Sequence, residues 1–247
     1  MKSLTVLLLF FLLTVSSTEA KNKVIDASDG VKLQSVFDEA AAFDTLWLKG
    51  DFEESLLKVE KPLYLFGVEE ANISAANGEE ILIIASDQVQ VKNLTFKNVE
   101  ASFLKDRAAI RILEVKDILI DSNRFLNTFF GVYVQNSTDC IISHNLFQGE
   151  AKDEVHAGNA IHIWKAKRIE VVQNKAYGHR DGIYFEFVDE SYIQGNVSIN
   201  NMRYGLHFMF SNYDIYEDNH FENNGSGVAV MFSKHIKMIN NTFKKNW

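Results

Sequence analysis

From residue 109 to the end of the chain, apolar and polar positions alternate in short bursts that recur at a constant phase. Six bursts open on a small residue: Ala109-Ile-Arg-Ile, Gly131-Val-Tyr-Val, Ala160-Ile-His-Ile, Gly182-Ile-Tyr-Phe, Gly205-Leu-His-Phe and Gly227-Val-Ala-Val. Fourteen positions after each small residue stands an asparagine: Asn123, Asn145, Asn174, Asn196, Asn219 and Asn241. Length varies only between that asparagine and the next small residue. The period is therefore 22 or 23, apart from one 29-residue unit with an insertion near Glu150–His156. A period in the low twenties leaves leucine-rich repeats and β-solenoids as the main options, and the Leu-x-x-Leu-x-Leu framework is absent. Short β-alternating stretches such as Ile118–Ile120, Gly182–Phe185 and Ile236–Met238, with Asn and Gly at the corners, predict coils of a parallel β-helix. Successive coils should stack about 4.8 Å apart. The asparagine at constant phase predicts a hydrogen-bonded ladder. The phenylalanine two residues later in four units (Phe125, Phe147, Phe221, Phe243) predicts an internal stack.

Before residue 109 the pattern is less regular. Asp29–Phe43 places Leu33, Val36, Phe37, Ala40 and Ala41 on one helical face, with Ser28 or Asp29 as N-cap. Such a helix would cover the first coil, whose open edge would otherwise template association. Strands are expected at Thr45–Leu48, Leu63–Phe66, Glu80–Ile84 and Val89–Val91. The all-β fold read here is thus a single solenoid over residues 21–247 with an N-terminal capping helix. The chain stops part-way through a coil at Trp247, so a truncated piece of a longer protein is expected.

Residues 1–20, MKSLTVLLLFFLLTVSSTEA, have the anatomy of a secretory signal: a short positive start, an apolar run over Leu4–Val15, and a small-x-small site ending at Ala20. The run is too short to span a bilayer, which takes about twenty residues. Cleavage after Ala20 and a location outside the cytoplasm are expected. The net charge is −8, and removing residues 1–20 takes one lysine and one glutamate and leaves it unchanged. With no Lys/Arg cluster, nucleic-acid binding and direct adhesion to an anionic membrane are set aside. The single cysteine, Cys140, excludes an internal disulfide and a Cys-rich zinc site, and its phase matches buried isoleucines.

Counting from each small residue as zero, positions 1 and 3 are apolar in all six units, which turns positions 2 and 4 outward. Position 2 reads Arg111, Tyr133, His162, Tyr184, His207, Ala229; position 4 reads Leu113, Gln135, Trp164, Glu186, Met209, Met231. Met1 aside, every methionine lies between residues 202 and 238, and all seven histidines lie between His144 and His235. Thioether and imidazole groups on one rigid face suit a soft ion such as Cu(I). The candidate ligands are His207, Met209 and Met231, with His162, Glu186, His179 and Met202 as nearer or alternative members. His179 and Met202 are expected to stack in successive coils. An exposed patch for docking another protein explains the same pattern equally well. A polysaccharide lyase or glycosidase is the competing class, with Asp181, Glu186, Asp189 and Arg180 as candidate groups. Asp181 and Glu186 stand an odd number of residues apart, so they should not converge as an acid–base pair; Asp181 reads as a turn residue.

The stretches Gly178-His-Arg-Asp-Gly-Ile-Tyr-Phe-Glu-Phe187, Asn201-Met-Arg-Tyr-Gly-Leu-His-Phe-Met-Phe-Ser211 and Gly225-Ser-Gly-Val-Ala-Val-Met-Phe-Ser233 resemble the NosD family, most specifically over residues 158–243. That resemblance implies a right-handed parallel β-helix of the pectin-lyase-like type, used without sugar chemistry. It also implies a periplasmic accessory role in assembling the copper centres of nitrous oxide reductase. The implied partners are NosF- and NosY-type subunits of an ABC transporter, a copper chaperone and the reductase itself, with membrane contact only through the transporter. Family members are longer, which accords with truncation. A non-catalytic carbohydrate- or protein-binding solenoid is the remaining alternative.

Overall fold

A computed structural model describes residues 20–247; the signal-peptide reading rests on residues 1–20, of which 1–19 lie outside it. From Asn22 onward the chain winds as a parallel β-solenoid in which every named strand pairs in parallel with one above or below it. The register follows the repeat. Ile110, Val132, Ile161, Ile183, Leu206 and Val228, all at position 1, stack directly on one another. Up to Phe208, positions 1 and 3 are fully buried and form one continuous core. Strand alternation sends these β-branched and aromatic side chains inward, where each touches its counterparts in the coils above and below. At the last coil nothing among the described residues lies over the interior, and Val230 and Phe243 are 47% and 46% exposed.

The asparagine ladder forms as expected. Backbone N–H groups of Asn123, Asn145, Asn174, Asn196 and Asn219 each donate to the next asparagine's side-chain oxygen, at 2.8–3.0 Å. Each side-chain amide also donates to a main-chain carbonyl of the coil before, as Asn174 does to Ile142 at 2.8 Å. These turns run through the interior, where unpaired backbone groups would be costly, and one amide per coil pairs them. Beside the ladder, Phe96, Phe125 and Phe147 stack at 5.3 and 4.6 Å between centroids, and Phe221 on Phe243 at 5.4 Å. The small residue at position zero has a packing reason: a Cβ on Gly131 would stand 2.5 Å from the Phe147 ring, and one on Gly205 2.6 Å from that of Phe221.

The N-terminal helix is shorter than the periodicity suggests. A 3-10 turn over Ala27–Asp29 ends at Gly30 in the left-handed region (φ 67°), and the α-helix runs only over Leu33–Glu39. Asp26, not Ser28 or Asp29, caps the first turn, and the helix N-terminus is capped from a distance by Glu54, which accepts from Leu33 N–H at 2.8 Å. Leu33, Val36 and Phe37 are buried and join the core, so the helix covers that end of the coil stack.

Candidate functional site

The outer row at position 2 is a continuous ladder. The Arg111 guanidinium lies over Tyr133 at 4.8 Å, and the rings of Tyr133, His162, Tyr184 and His207 follow at 4.4, 4.8 and 4.7 Å between centroids. The expected open face is largely closed. His162 is 9% and His207 4% exposed. Coils this close let each ring cover its neighbours, while Phe130 packs on His162 and Tyr204 on His207 from the side. What remains half-open is position 4: Trp164, Glu186, Met209 and Met231.

Glu186, Met209 and Met231 are direct partners across successive strands. The Tyr184 hydroxyl donates to the Met209 sulfur at 3.5 Å. Both ring nitrogens of His207 are buried without a hydrogen-bond partner. Asp181 stands 3.9 Å from His207 Nδ1, beyond hydrogen-bonding distance. Asp181 is not the turn residue expected. It is completely buried, and the Arg203 guanidinium clamps it through Nε (3.1 Å) and Nη2 (2.8 Å). Burial pushes its pKa up, but the neighbouring His207 imidazole, the Arg203 fork and Arg180 together outweigh this and hold it below the ordinary value. His162 Nδ1 lies 3.1 Å from the Asn159 amide, which in turn accepts from Arg180 Nε at 3.3 Å. Burial, with help from Arg180 and Arg111, brings the His162 pKa down to about 3.

His207, Met209, Met231, His162 and Glu186 thus share one face, whereas His179 and Met202 do not join it. His179 is not stacked on Met202; its N–H donates to Asn201 Oδ1 at 3.0 Å. Asn201 continues through Asn224 to Asn246 in the same manner, a second ladder absent from the sequence reading. Its signal was an asparagine three residues after each of Ser198, Phe221 and Phe243. Also unforeseen is an exposed stack of Phe187, Phe210 and Phe232, 5.0 Å apart, all held at positive φ (51–54°), a rare setting for bulky residues. Cys140 is buried, and burial lifts its pKa to about 12, as suits a small core residue. His144 and His156 lie at turns against Asp121 and Asp153, whereas His220 opens the strand His220–Glu222 and pairs with Glu222.

Among the described residues no three His, Cys, Asp or Glu side chains converge to hold a metal. Thioethers are donors of another kind. An unpartnered buried imidazole beside two facing methionines is a soft donor set, and copper fits it in kind.

The solenoid is shared with carbohydrate-active proteins. It superposes on the Azotobacter vinelandii mannuronan C-5 epimerase AlgE6 A-module with a TM-score of 0.60 at 14% identity, over 87% of this chain and 75% of that one. Pectate lyase Bsp165PelA from Bacillus sp. N165 gives 0.60 at 14% identity, over 91% and 82%. The periplasmic alginate epimerase AlgG gives 0.60 at 14%, over 85% of this chain and 53% of its own. At such identity the likeness is one of fold. No curated protein sequence matches the chain significantly. Residues 149–247, which carry all seven candidate ligands, match the NosD family, described as periplasmic copper-binding protein.

Proposed function

We propose that this chain is a non-catalytic periplasmic accessory protein that handles Cu(I) during assembly of the copper centres of nitrous oxide reductase, alongside an ABC-type transporter with NosF- and NosY-like subunits and a copper chaperone. The observation that carries the reading is the coincidence of the family match with the soft-donor face: residues 149–247 hold both. On this reading residues 1–20 direct export. His207 supplies an imidazole, Met209 and Met231 supply thioethers, and Glu186 lies beside them on the same row. Copper is cargo here, so a site that binds and releases is the useful design. The buried His207 ring, flanked by Tyr184 and Tyr204, must open slightly to admit an ion.

A lyase or epimerase reading has the fold in its favour. Its chemistry is less well supported, because Asp181 is fully committed to Arg203 and Glu186 faces methionine rather than a second carboxylate. The deciding experiment is competition for Cu(I) with a chromophoric chelator, comparing wild type with the Met209→Leu/Met231→Leu pair and with His207→Ala. Leucine keeps size and apolarity, so the fold should survive while the sulfurs go. Weaker copper retention in both variants is expected; affinity unchanged in both would remove this face from the reading. Cleavage of pectate or alginate that disappears in Glu186→Gln would replace the reading with the enzyme class.

A further inference from the structure

Two long connections depart from the regular coils, residues 100–107 and 149–160. They meet where the Phe103 and His156 rings pack edge to face, 5.3 Å between centroids. Between them lies a half-open cavity of about 160 Å³, lined among others by Thr128, Phe129, Glu150, His156 and His179.

The cavity sits at a break in the second turn ladder. Residues 125, 147, 176, 198, 221 and 243 stack in register. Three positions further on stand Thr128, Glu150, His179, Asn201, Asn224 and Asn246. From His179 onward each backbone N–H donates to the next rung's amide oxygen at 3.0 Å. In the other direction the insertion carries Glu150 out to solvent. The rungs on either side are left unpaired: Thr128 Oγ1 and His179 Nε2 are both buried with no hydrogen-bond partner. Unpaired buried polar atoms are rare, and both residues that carry them line this cavity.

We propose that this cavity is a Cu(I) site of two histidines, with His179 as the buried ligand and His156 as the ligand from the loop. The buried His179 Nε2 has no hydrogen-bond partner, which leaves that nitrogen for an ion. His156 Nδ1 lies 2.8 and 3.0 Å from the two Asp153 carboxylate oxygens, which leaves Nε2 as its free nitrogen. A carboxylate behind an imidazole is the usual support of a metal-binding histidine. Asp153 also accepts from the N–H groups of Val155 and His156, which holds the loop tip in shape. Two imidazoles satisfy Cu(I), a d¹⁰ ion with no demand for higher coordination. Zn(II) prefers at least three protein ligands, and three do not converge here. The site rests on the copper-handling reading but is separate from the methionine face.

The test is Cu(I) titration against a chromophoric chelator in the Met209→Leu/Met231→Leu background, with His179→Asn or His156→Ala added. Asparagine at 179 continues the ladder, and residue 156 is exposed, so both variants should fold. The background protein should retain one copper with nitrogen but no sulfur neighbours in X-ray absorption. Either added substitution should weaken it at least about tenfold. A background protein that binds no copper, while wild type does, would overturn the cavity site and leave the proposed function standing. Retained copper that is indifferent to both substitutions would also overturn the cavity site. Failure of wild type to bind copper at all would end both.

Discussion

The Tyr184 hydroxyl donates a hydrogen bond to the Met209 sulfur at 3.5 Å, reaching from one coil to the next. Burial, reinforced by Glu186, pushes the Tyr184 pKa up, so the donor stays protonated throughout the physiological range. The bond occupies a sulfur lone pair that a bound ion would need. Tyr184→Phe should therefore raise Cu(I) affinity severalfold while costing about 1 kcal/mol of stability, the net worth of one hydrogen bond. Paired chelator competition and urea melts read both quantities, and weaker copper binding in the variant would mean that the hydroxyl supports the site instead of competing for it.

Asn174 serves four partners at once: it accepts from Asn145 N and Nδ2 and donates to Ile142 O and Asn196 Oδ1. Asn174→Ala leaves several of these groups buried and unpaired, each worth about 1–3 kcal/mol. A loss of at least about 3 kcal/mol in urea unfolding is expected, and a loss under 1 kcal/mol would show that water replaces the rung.

Asp214 is buried; one oxygen accepts from Ser191 N at 2.8 Å and the other has no partner. Burial raises its pKa to about 8. Folded protein then holds a proton that unfolded chain, near 3.9, releases. Between pH 4 and 8 this group's contribution to stability falls as pH rises. Asp214→Asn keeps the Ser191 contact and removes the titration. The variant should gain stability over wild type by a few kcal/mol at pH 8, with the gap closing towards pH 4. Parallel stability–pH curves for the two proteins would refute this.

His162 and His179 work in the opposite sense. Their folded pKa values, about 3 and about 4, lie below the unfolded value near 6.5. Unfolded chain takes up protons first, so their contribution is intact above pH 6.5 and is lost as pH falls towards 4 and 3. His162→Phe, which keeps a ring between Tyr133 and Tyr184, should flatten the acid limb in thermal melts from pH 7 to pH 4. An acid limb as steep as that of wild type would place the acid sensitivity elsewhere.

The coil, its register, the Asn123–Asn241 ladder and the stacked phenylalanines were all legible in the sequence, because each depends on residues at a constant offset within one unit. A solenoid contacts only its neighbouring coils, so phase along the chain becomes position in space. Phase also brought His207, Met209, Met231, His162 and Glu186 to one face. It did not tell how deep they lie. Tyr204 and Phe130, outside the alternating pattern, close over the histidines, and that is decided by packing between turns. His179 shows the limit most plainly. By phase it pairs with Met202, but one extra residue in the connection to the next coil brings Asn201 onto it. Beneath it, the insertion takes Glu150 out of the ladder and opens the cavity. Asp181 likewise meets Arg203 of the next coil, a contact that alternation along its own strand does not foretell. Offsets within a unit are sequence properties. Where variable connections and corners deliver a side chain depends on the contacts of neighbouring coils, and tertiary structure alone decides those.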